Sequence, residues 1–243
     1  YTPSEAVALQ GLTDVIADAE GLVAVTCFAS NVARLGSIMT AAAANNRSIC
    51  VVGRALNRTI GAARDTGYLA DIPDFVSESE ASLIPRNHMV VICTGSQGET
   101  RAAMAKIAAG THESVELQPG DTVIYSSRQI PGNEPAITKV QDMLVRRGIH
   151  LITDEDRPVH VSGHPARDEL VEMYGLVRPQ IAIPVHGTAR HLMAHAELAN
   201  NCQVKQTLIP DNGAAIRLKS GTADIIGYVP VGVLTPEGGE VVD

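Results

Sequence analysis

The sequence predicts an α/β protein organised around a mostly parallel, doubly wound sheet, and three observations carry that reading. Short apolar runs rich in Val and Ile alternate with segments whose apolar residues recur at helical spacing. The turns that follow the runs hold Gly, Ser and Asn, the residues that let a strand pass into a helix. After about residue 165 the rhythm loosens, and Asn-Gly and Ser-Gly turns begin to separate apolar runs directly.

In chain order, Thr2-Pro3-Ser4-Glu5 reads as a capping box with Pro at the first helical position. Residues 22–28 form the first strand. Residues 31–44 form a helix carrying Val32, Leu35, Ile38 and Met39 on one stripe. A strand at 48–52 and a helix near 57–67 follow. A Pro-rich and acidic loop spans 71–85, and the third strand spans 89–94. The turn Gly95-Ser96-Gln97-Gly98 leads into a helix near 99–109. Residues 122–126 are the fourth strand, and Pro131-Gly132-Asn133 turns into a helix ending near Arg147-Gly148. Short strands are expected at 150–153 and 159–161. Beyond these come a helix at 167–174, a strand at 181–185 and a helix at 189–200. Strands at 207–209, 215–218 and 225–233 complete the chain, with hairpin turns at Asp211-Asn212-Gly213 and Lys219-Ser220-Gly221. The soft boundary near 165 separates a parallel-sheet domain, 1–165, from a different unit, 166–243.

Composition narrows the function classes. With 45% hydrophobic and 19% charged residues among 243, the chain is globular and long enough to bury a large core. The formal charge of −8 and an aromatic content of 3% disfavour binding nucleic acid through a global positive field or a stacking platform. A local groove is still allowed. Cys27, Cys50, Cys93 and Cys202 are widely spaced, the first three within apolar runs, which is the pattern of free thiols in a reducing cytoplasm. No secretory signal or membrane-spanning segment is visible. The chain opens on Tyr1 without an initiator Met, and the expectation is a piece of something longer.

Residues positioned for chemistry follow the strands. Ser30 and Asn31, then Gly95, Ser96, Gln97 and Gly98, then Ser126 and Ser127, then Ser162 and Gly163, all stand where a sheet would present backbone N–H groups and hydroxyls to phosphate. Two histidines twenty-two residues apart, His164 and His186, each close a strand-like segment. Pro184 and Gly187 flank His186 and imply a sharp exit that exposes its ring. His191 and His195 share a helix face at i, i+4, but position 192 is Leu, so the zinc motif HExxH is absent. These two read as helix-face residues, and Asp154, Glu155 and Asp156 as a solvated loop.

Five motifs in order resemble the ribonuclease J family, β-CASP members of the metallo-β-lactamase superfamily. They are Phe28-Ala29-Ser30-Asn31, Cys93-Thr94-Gly95-Ser96-Gln97-Gly98-Glu99, Ile130-Pro131-Gly132-Asn133-Glu134, His160-Val161-Ser162-Gly163-His164 and Pro184-Val185-His186-Gly187. The resemblance implies a β-CASP domain over 1–165 and the C-terminal part of a metallo-β-lactamase αββα domain over 166–243. It further implies a zinc-dependent hydrolase of RNA phosphodiesters, an endonuclease and a 5′-to-3′ exonuclease favouring 5′-monophosphate ends, in cytoplasmic RNA processing and decay. His186 would be a metal ligand and His164 a catalytic residue at the scissile phosphate. Ser30, Asn31, Gly95, Ser96, Gln97, Gly98, Ser126, Ser127, Ser162 and Gly163 would line the RNA path. Thr188 stands where the family often has Glu, and Pro165-Ala166 where it often has Ala-Ser. The family's HxHxDH motif occurs nowhere in the chain. The expectation is therefore a chain that binds neither of the two catalytic zinc ions and is inactive by itself, from a parent nuclease that is not membrane-bound and for which homo-oligomers are open. Two alternatives remain at this point: a non-catalytic nucleotide- or phosphate-binding α/β module, and an enzyme of the same superfamily acting on another ester.

Overall fold

The computed structural model describes residues 1–70, 72–232, 235–237 and 240–242, the last two stretches as backbone. The chain folds as two compact units, a larger one spanning 2–163 and a smaller one spanning 164–243 together with Tyr1.

The larger unit is a five-stranded parallel sheet in the order β2-β3-β1-β4-β5. The strands are β1 (Val23–Thr26), β2 (Ser48–Val52), β3 (Met89–Cys93), β4 (Thr122–Tyr125) and β5 (His150–Ile152). The helices are α1 (Glu5–Asp18), α2 (Val32–Ala44), α3 (Arg54–Asp65), α4 (Glu78–Ala81), α5 (Ala103–Ala108) and α6 (Glu134–Arg146). Alternation along each strand sends Val23, Val25, Ile49, Val51, Val90, Ile92 and Ile124 to one face, where α1, α2 and α3 bury Leu12, Ile16, Leu35, Ile38 and Leu56. Ala24, Cys50, Val52, Val91, Cys93, Val123 and Tyr125 go to the other face, against Met104 and Ile107 of α5 and Ile137, Val140 and Leu144 of α6. Both faces are covered, so the central strands can be apolar throughout. The chain reverses its winding direction about β1, and the turns after β1, β3 and β4 therefore leave side by side at the C-terminal edge of the sheet, where open α/β sheets place ligands.

The smaller unit holds α7 (Arg167–Val177), β6 (Ile181–Ala182), α8 (Ala189–Asn201), β7 (Gln206–Thr207), β8 (Ala214–Lys219), β9 (Thr222–Tyr228), β10 (Thr235–Glu237) and β11 (Glu240–Val242). β6, α8 and β7 make a small parallel βαβ unit closed over Ala182, Ala199 and Val204. β8 and β9 form an antiparallel hairpin, tied to β7 by the Gln206 amide, which donates to Ala223 O and accepts from Ala223 N.

Several sequence expectations change. The N-cap of α1 is Ser4 and no side chain caps it, because Glu5 turns inward to a buried arginine. α3 begins at Arg54, three residues early, and α4 lies inside the stretch expected as loop; Asp71 lies outside the described residues. α5 starts only at Ala103, since residues 99–102 form turns, with Met104 N donating to Thr94 O. No strand forms at 159–161: Val159 N turns back onto Arg157 O, and the Ser126 hydroxyl takes the Val159 carbonyl that a neighbouring strand would have used. The Asn212-Gly213 turn closes no hairpin, because β7 pairs with β6, while β8 pairs with β9 around Ser220-Gly221. The last expected strand begins three residues early, at Thr222, and its expected end, Val233, lies outside the described residues.

All four cysteines are free, and three are buried. Burial pushes the thiol of Cys27 up to about 12 and that of Cys50 up to about 11, and raises Cys93 as well. In the native protein at neutral pH a thiol reagent should therefore label only half-buried Cys202 rapidly, and Cys202→Ser should abolish that phase. The other three should react only after denaturant is added.

Candidate functional site at the C-terminal edge of the sheet

The centre of this edge is Arg34 on α2, whose side chain is fully buried. Its Nε and Nη2 donate to the two carboxylate oxygens of Glu5 at 2.6 and 3.0 Å, a bidentate pair joining α2 to α1. Its Nη1 donates to Ser126 O at 3.0 Å and to Ser126 Oγ at 2.9 Å, and lies 2.8 Å from His160 Nδ1. Ser37 Oγ adds a bond to Glu5 at 2.9 Å. Burial by itself would raise the Glu5 carboxyl, but the bonds from Arg34 and Ser37 outweigh it and hold it below the usual range. One guanidinium thus ties α1, α2, the exit of β4 and the 159–160 segment together.

That last segment is pinned from a second side. A side chain at Gly11 would meet Pro158 O at 2.4 Å, so α1 can lie flat on Pro158 only with glycine there. Arg157 pairs with Asp18 at 2.9 Å, and Val159 enters the core.

The sequence-derived candidates separate into two groups around this frame. Asn31 spends its Oδ1 on capping α2, accepting from Arg34 N at 3.0 Å. Ser126 spends its hydroxyl on Val159 O at 2.7 Å. Gln97 is buried and organises the following loop: its Nε2 donates to Arg128 O, and its Oε1 accepts from Ile130 N and Asn133 Nδ2. Gly95, Ser96 and Gly98 are buried too, and Gly98 has φ +75° with α6 backbone 2.4 Å from any added Cβ. These residues shape the edge from within. Ser30 and Gly163 are exposed and Ser162 is half-buried. The buried Ser127 Oγ and Tyr125 OH have no hydrogen-bond partner among the described residues, so the exit of β4 keeps donor capacity unused. Sequence reasoning overlooked Arg34, Glu5 and the inward role of His160. The one available signal was an arginine in the buried stripe of α2, three residues past the cap.

In the smaller unit, His164 and His186 are both exposed. His186 has φ +62°, a conformation uncommon for a residue with a side chain and concentrated at functional positions. His191 Nδ1 lies 3.1 Å from Thr188 Oγ1 at the start of α8, and His195 Nε2 lies 2.9 Å from Tyr174 OH. Among the described residues no three His, Cys, Asp or Glu side chains group to hold a metal ion. The donor set present therefore does not make a zinc site, which needs three or four ligands. No helix among the described residues is long and apolar enough to cross a membrane.

Comparison with known proteins adds to this geometry. Residues 20–144 match the model of the ribonuclease J β-CASP domain, and residues 157–209 match that of the Zn-dependent metallo-hydrolase RNA specificity domain. The chain is 46% identical over 237 residues to a ribonuclease J of Sinorhizobium meliloti, covering 98% of this chain and 42% of that protein. It is 42% identical over 240 residues to one from Mycolicibacterium smegmatis, covering 98% of this chain and 43% of the relative. To ribonuclease J2 of Bacillus subtilis it is 35% identical over 241 residues, covering 98% and 43%. The chain spans about two fifths of the length of these relatives.

Two outcomes follow from the frame. Glu5→Gln leaves a buried guanidinium without its carboxylate and should cost roughly 2–4 kcal/mol at neutral pH, a discount on a fully buried pair because Glu5 is partly exposed. Because folding lowers the Glu5 pKa, its contribution is complete above the ordinary value of 4.5 and is lost as pH falls through the lower native value. Urea melts of the two proteins should therefore converge in acid. Gly98→Ala should lower the melting temperature, at a cost of about 2 kcal/mol or more, since both its φ and the α6 backbone oppose a methyl group.

Proposed function

The chain belongs to the ribonuclease J family, and we propose that it serves as the RNA-engaging part of a ribonuclease, holding phosphates at the C-terminal edge of its parallel sheet. The carrying observation is the exit of β4, where the Ser127 hydroxyl is buried yet unpartnered among the described residues, beside the turns that follow β1 and β3. A buried hydroxyl left without a partner costs free energy unless a ligand or water supplies one. In this reading Ser127, Ser30, Ser162 and Gly163 contact the RNA backbone. Asn31, Gly95, Ser96, Gln97, Gly98 and Ser126 hold those contacts in place. Phosphate contacts position a strand without reading its sequence, which suits an enzyme of general RNA turnover.

For the smaller unit we assign His164 to the scissile phosphate, as a donor that stabilises charge developing on its oxygens. His186 supplies one zinc ligand, and its exposed ring on a strained backbone supports that role. The remaining ligands are not found among the described residues, so the chain alone is expected to be inactive and to hold no tight zinc. The parent's preference for 5′-monophosphate ends, its cytoplasmic location and its part in ribosomal and messenger RNA maturation and decay belong to the same proposal.

A fluorescent single-stranded RNA titrated with this chain should bind with an affinity that falls steeply as salt rises. Ser127→Ala should weaken binding about tenfold, the value of one hydrogen bond to a charged acceptor. Equal binding by the variant would remove the β4 exit from the RNA path. In the full-length enzyme, His164→Ala should depress turnover with zinc content intact, whereas His186→Ala should lose zinc. Parallel zinc loss in both would refute the division of roles.

A further inference from the structure

His160 is a polar side chain at this edge whose protonation the geometry dictates. Its Nδ1 lies 2.8 Å from Arg34 Nη1. A guanidinium carries only N–H donors and keeps its protons at any pH at which a protein is folded. Nδ1 is therefore the acceptor, and the ring proton sits on Nε2. Adding a second proton would set an Nδ1–H against an Arg34 N–H. Burial first, and then the Arg34 charge, hold His160 below its ordinary range, against the opposing pull of Asp154, of Glu5 and of the Ser126 backbone, which lies within reach of the ring.

This arrangement removes several roles. Nε2 cannot ligate a metal or accept a proton unless its hydrogen moves to Nδ1, where Arg34 stands. What remains is a neutral imidazole with one donor. Arg34 itself cannot reach a ligand, because it is fully buried and its charge is matched by Glu5. The segment that carries His160 is fixed by Gly11 against Pro158, by the Arg157–Asp18 pair and by the two bonds of Ser126. It leads within two residues to Ser162.

We propose that Arg34 is a positioning residue that fixes His160 as a neutral Nε2–H donor to a phosphate oxygen of the bound RNA backbone. The proposal rests on the reading of this edge as an RNA path. A phosphate oxygen is the acceptor that a donor-only, neutral group serves best, since it offers lone pairs and no competing proton. The Glu5–Arg34 pair sets the donor without adding net charge, consistent with an overall charge of −8 that leaves recognition to local contacts.

The test is ring 15N NMR of His160 in this chain, followed by RNA titration. The expected spectrum at neutral pH is that of the Nε2–H tautomer, with a protonation midpoint below the ordinary histidine value of 6.5. A short single-stranded RNA should shift the Nε2–H signal. His160→Asn keeps an acceptor for Arg34 and removes the distal donor, and it should weaken RNA binding about tenfold while the melting temperature holds. His160→Gln keeps a distal donor and should bind better than the Asn variant. An Nδ1–H tautomer, ordinary titration, bound RNA with an unmoved ring signal, or wild-type affinity in His160→Asn would each overturn the proposal and leave the RNA reading standing. Failure of the wild-type chain to bind RNA would overturn the RNA reading, and the phosphate contact with it, whatever the tautomer.

Discussion

The C-terminal edge of the larger unit depends on one ion pair, fully buried Arg34 with partly exposed Glu5. A guanidinium with no exposed surface is costly to desolvate, and it is tolerated only when each donor finds an acceptor. Here the acceptors come from three separate places in the chain: the start of α1, the exit of β4 and the 159–160 segment, while Ser37 on α2 shares the load on Glu5. The pair therefore does more than join two helices. It converts a set of loop ends, each weakly held alone, into a single rigid rim. Replacing both partners by apolar residues could preserve stability, but it would leave Ser126 O and His160 without the donor that orients them.

Both ends of the sheet use arginine. At the N-terminal end, Arg47 donates to the carbonyls of Ile16, Ala19 and Gly21, closing the end of α1. Arg147 does the same for Ile107 and Ala108 at the end of α5 and for Leu117. Arg86 pairs with buried Asp121, whose oxygens also accept from Leu22 N and Gln118 N. Those networks are made with backbone carbonyls and with one buried carboxylate, so each arginine there ties loop ends to the sheet. At the C-terminal end Arg34 is turned inward in the same way, but the buried hydroxyls of Ser127 and Tyr125 lack partners among the described residues.

How far the sequence revealed this follows from range of interaction. The five parallel strands were readable because each is a short apolar run between turn formers, or ends in one, and both properties are local. The stripe Val32, Leu35, Ile38 and Met39 gave α2 for the same reason. The signal failed where a distant partner decides. Glu5 resembled a capping residue until Arg34, twenty-nine positions away, claimed its carboxylate. Val159 and Val161 resembled strand residues until Ser126 took the carbonyl that pairing required. Asn212-Gly213 resembled a hairpin turn, yet β6 had already captured β7. The turns expected after the first, third and fourth strands lie where those strands end, the strand expected before Ser162 is absent, and which motif side chains are engaged internally was not legible. Asn31, Ser126 and Gln97 carry the same kinds of functional group as exposed Ser30 and as Ser127, which is buried but unpartnered among the described residues, and only packing separates them.

That division bears on how the proposed RNA path could be built from so acidic a chain. If every polar residue of the motifs faced the ligand, the rim would have no support, and mobile side chains would lose rotamer entropy on each contact. Committing Asn31, Gln97 and Ser126 to internal bonds fixes the backbone beforehand, so that in the proposed reading the remaining groups would meet phosphate without reorganisation. A neutral imidazole extends the same logic. A protonated histidine would attract phosphate more strongly at long range, but its occupancy would vary with pH, and it would repel the buried guanidinium that holds it. A donor fixed in the neutral state gives up long-range attraction and gains a constant geometry. For a protein with net charge −8, whose global field opposes nucleic acid, geometry at close range is the resource the fold has available, and the proposed His160 contact would draw on it through Arg34.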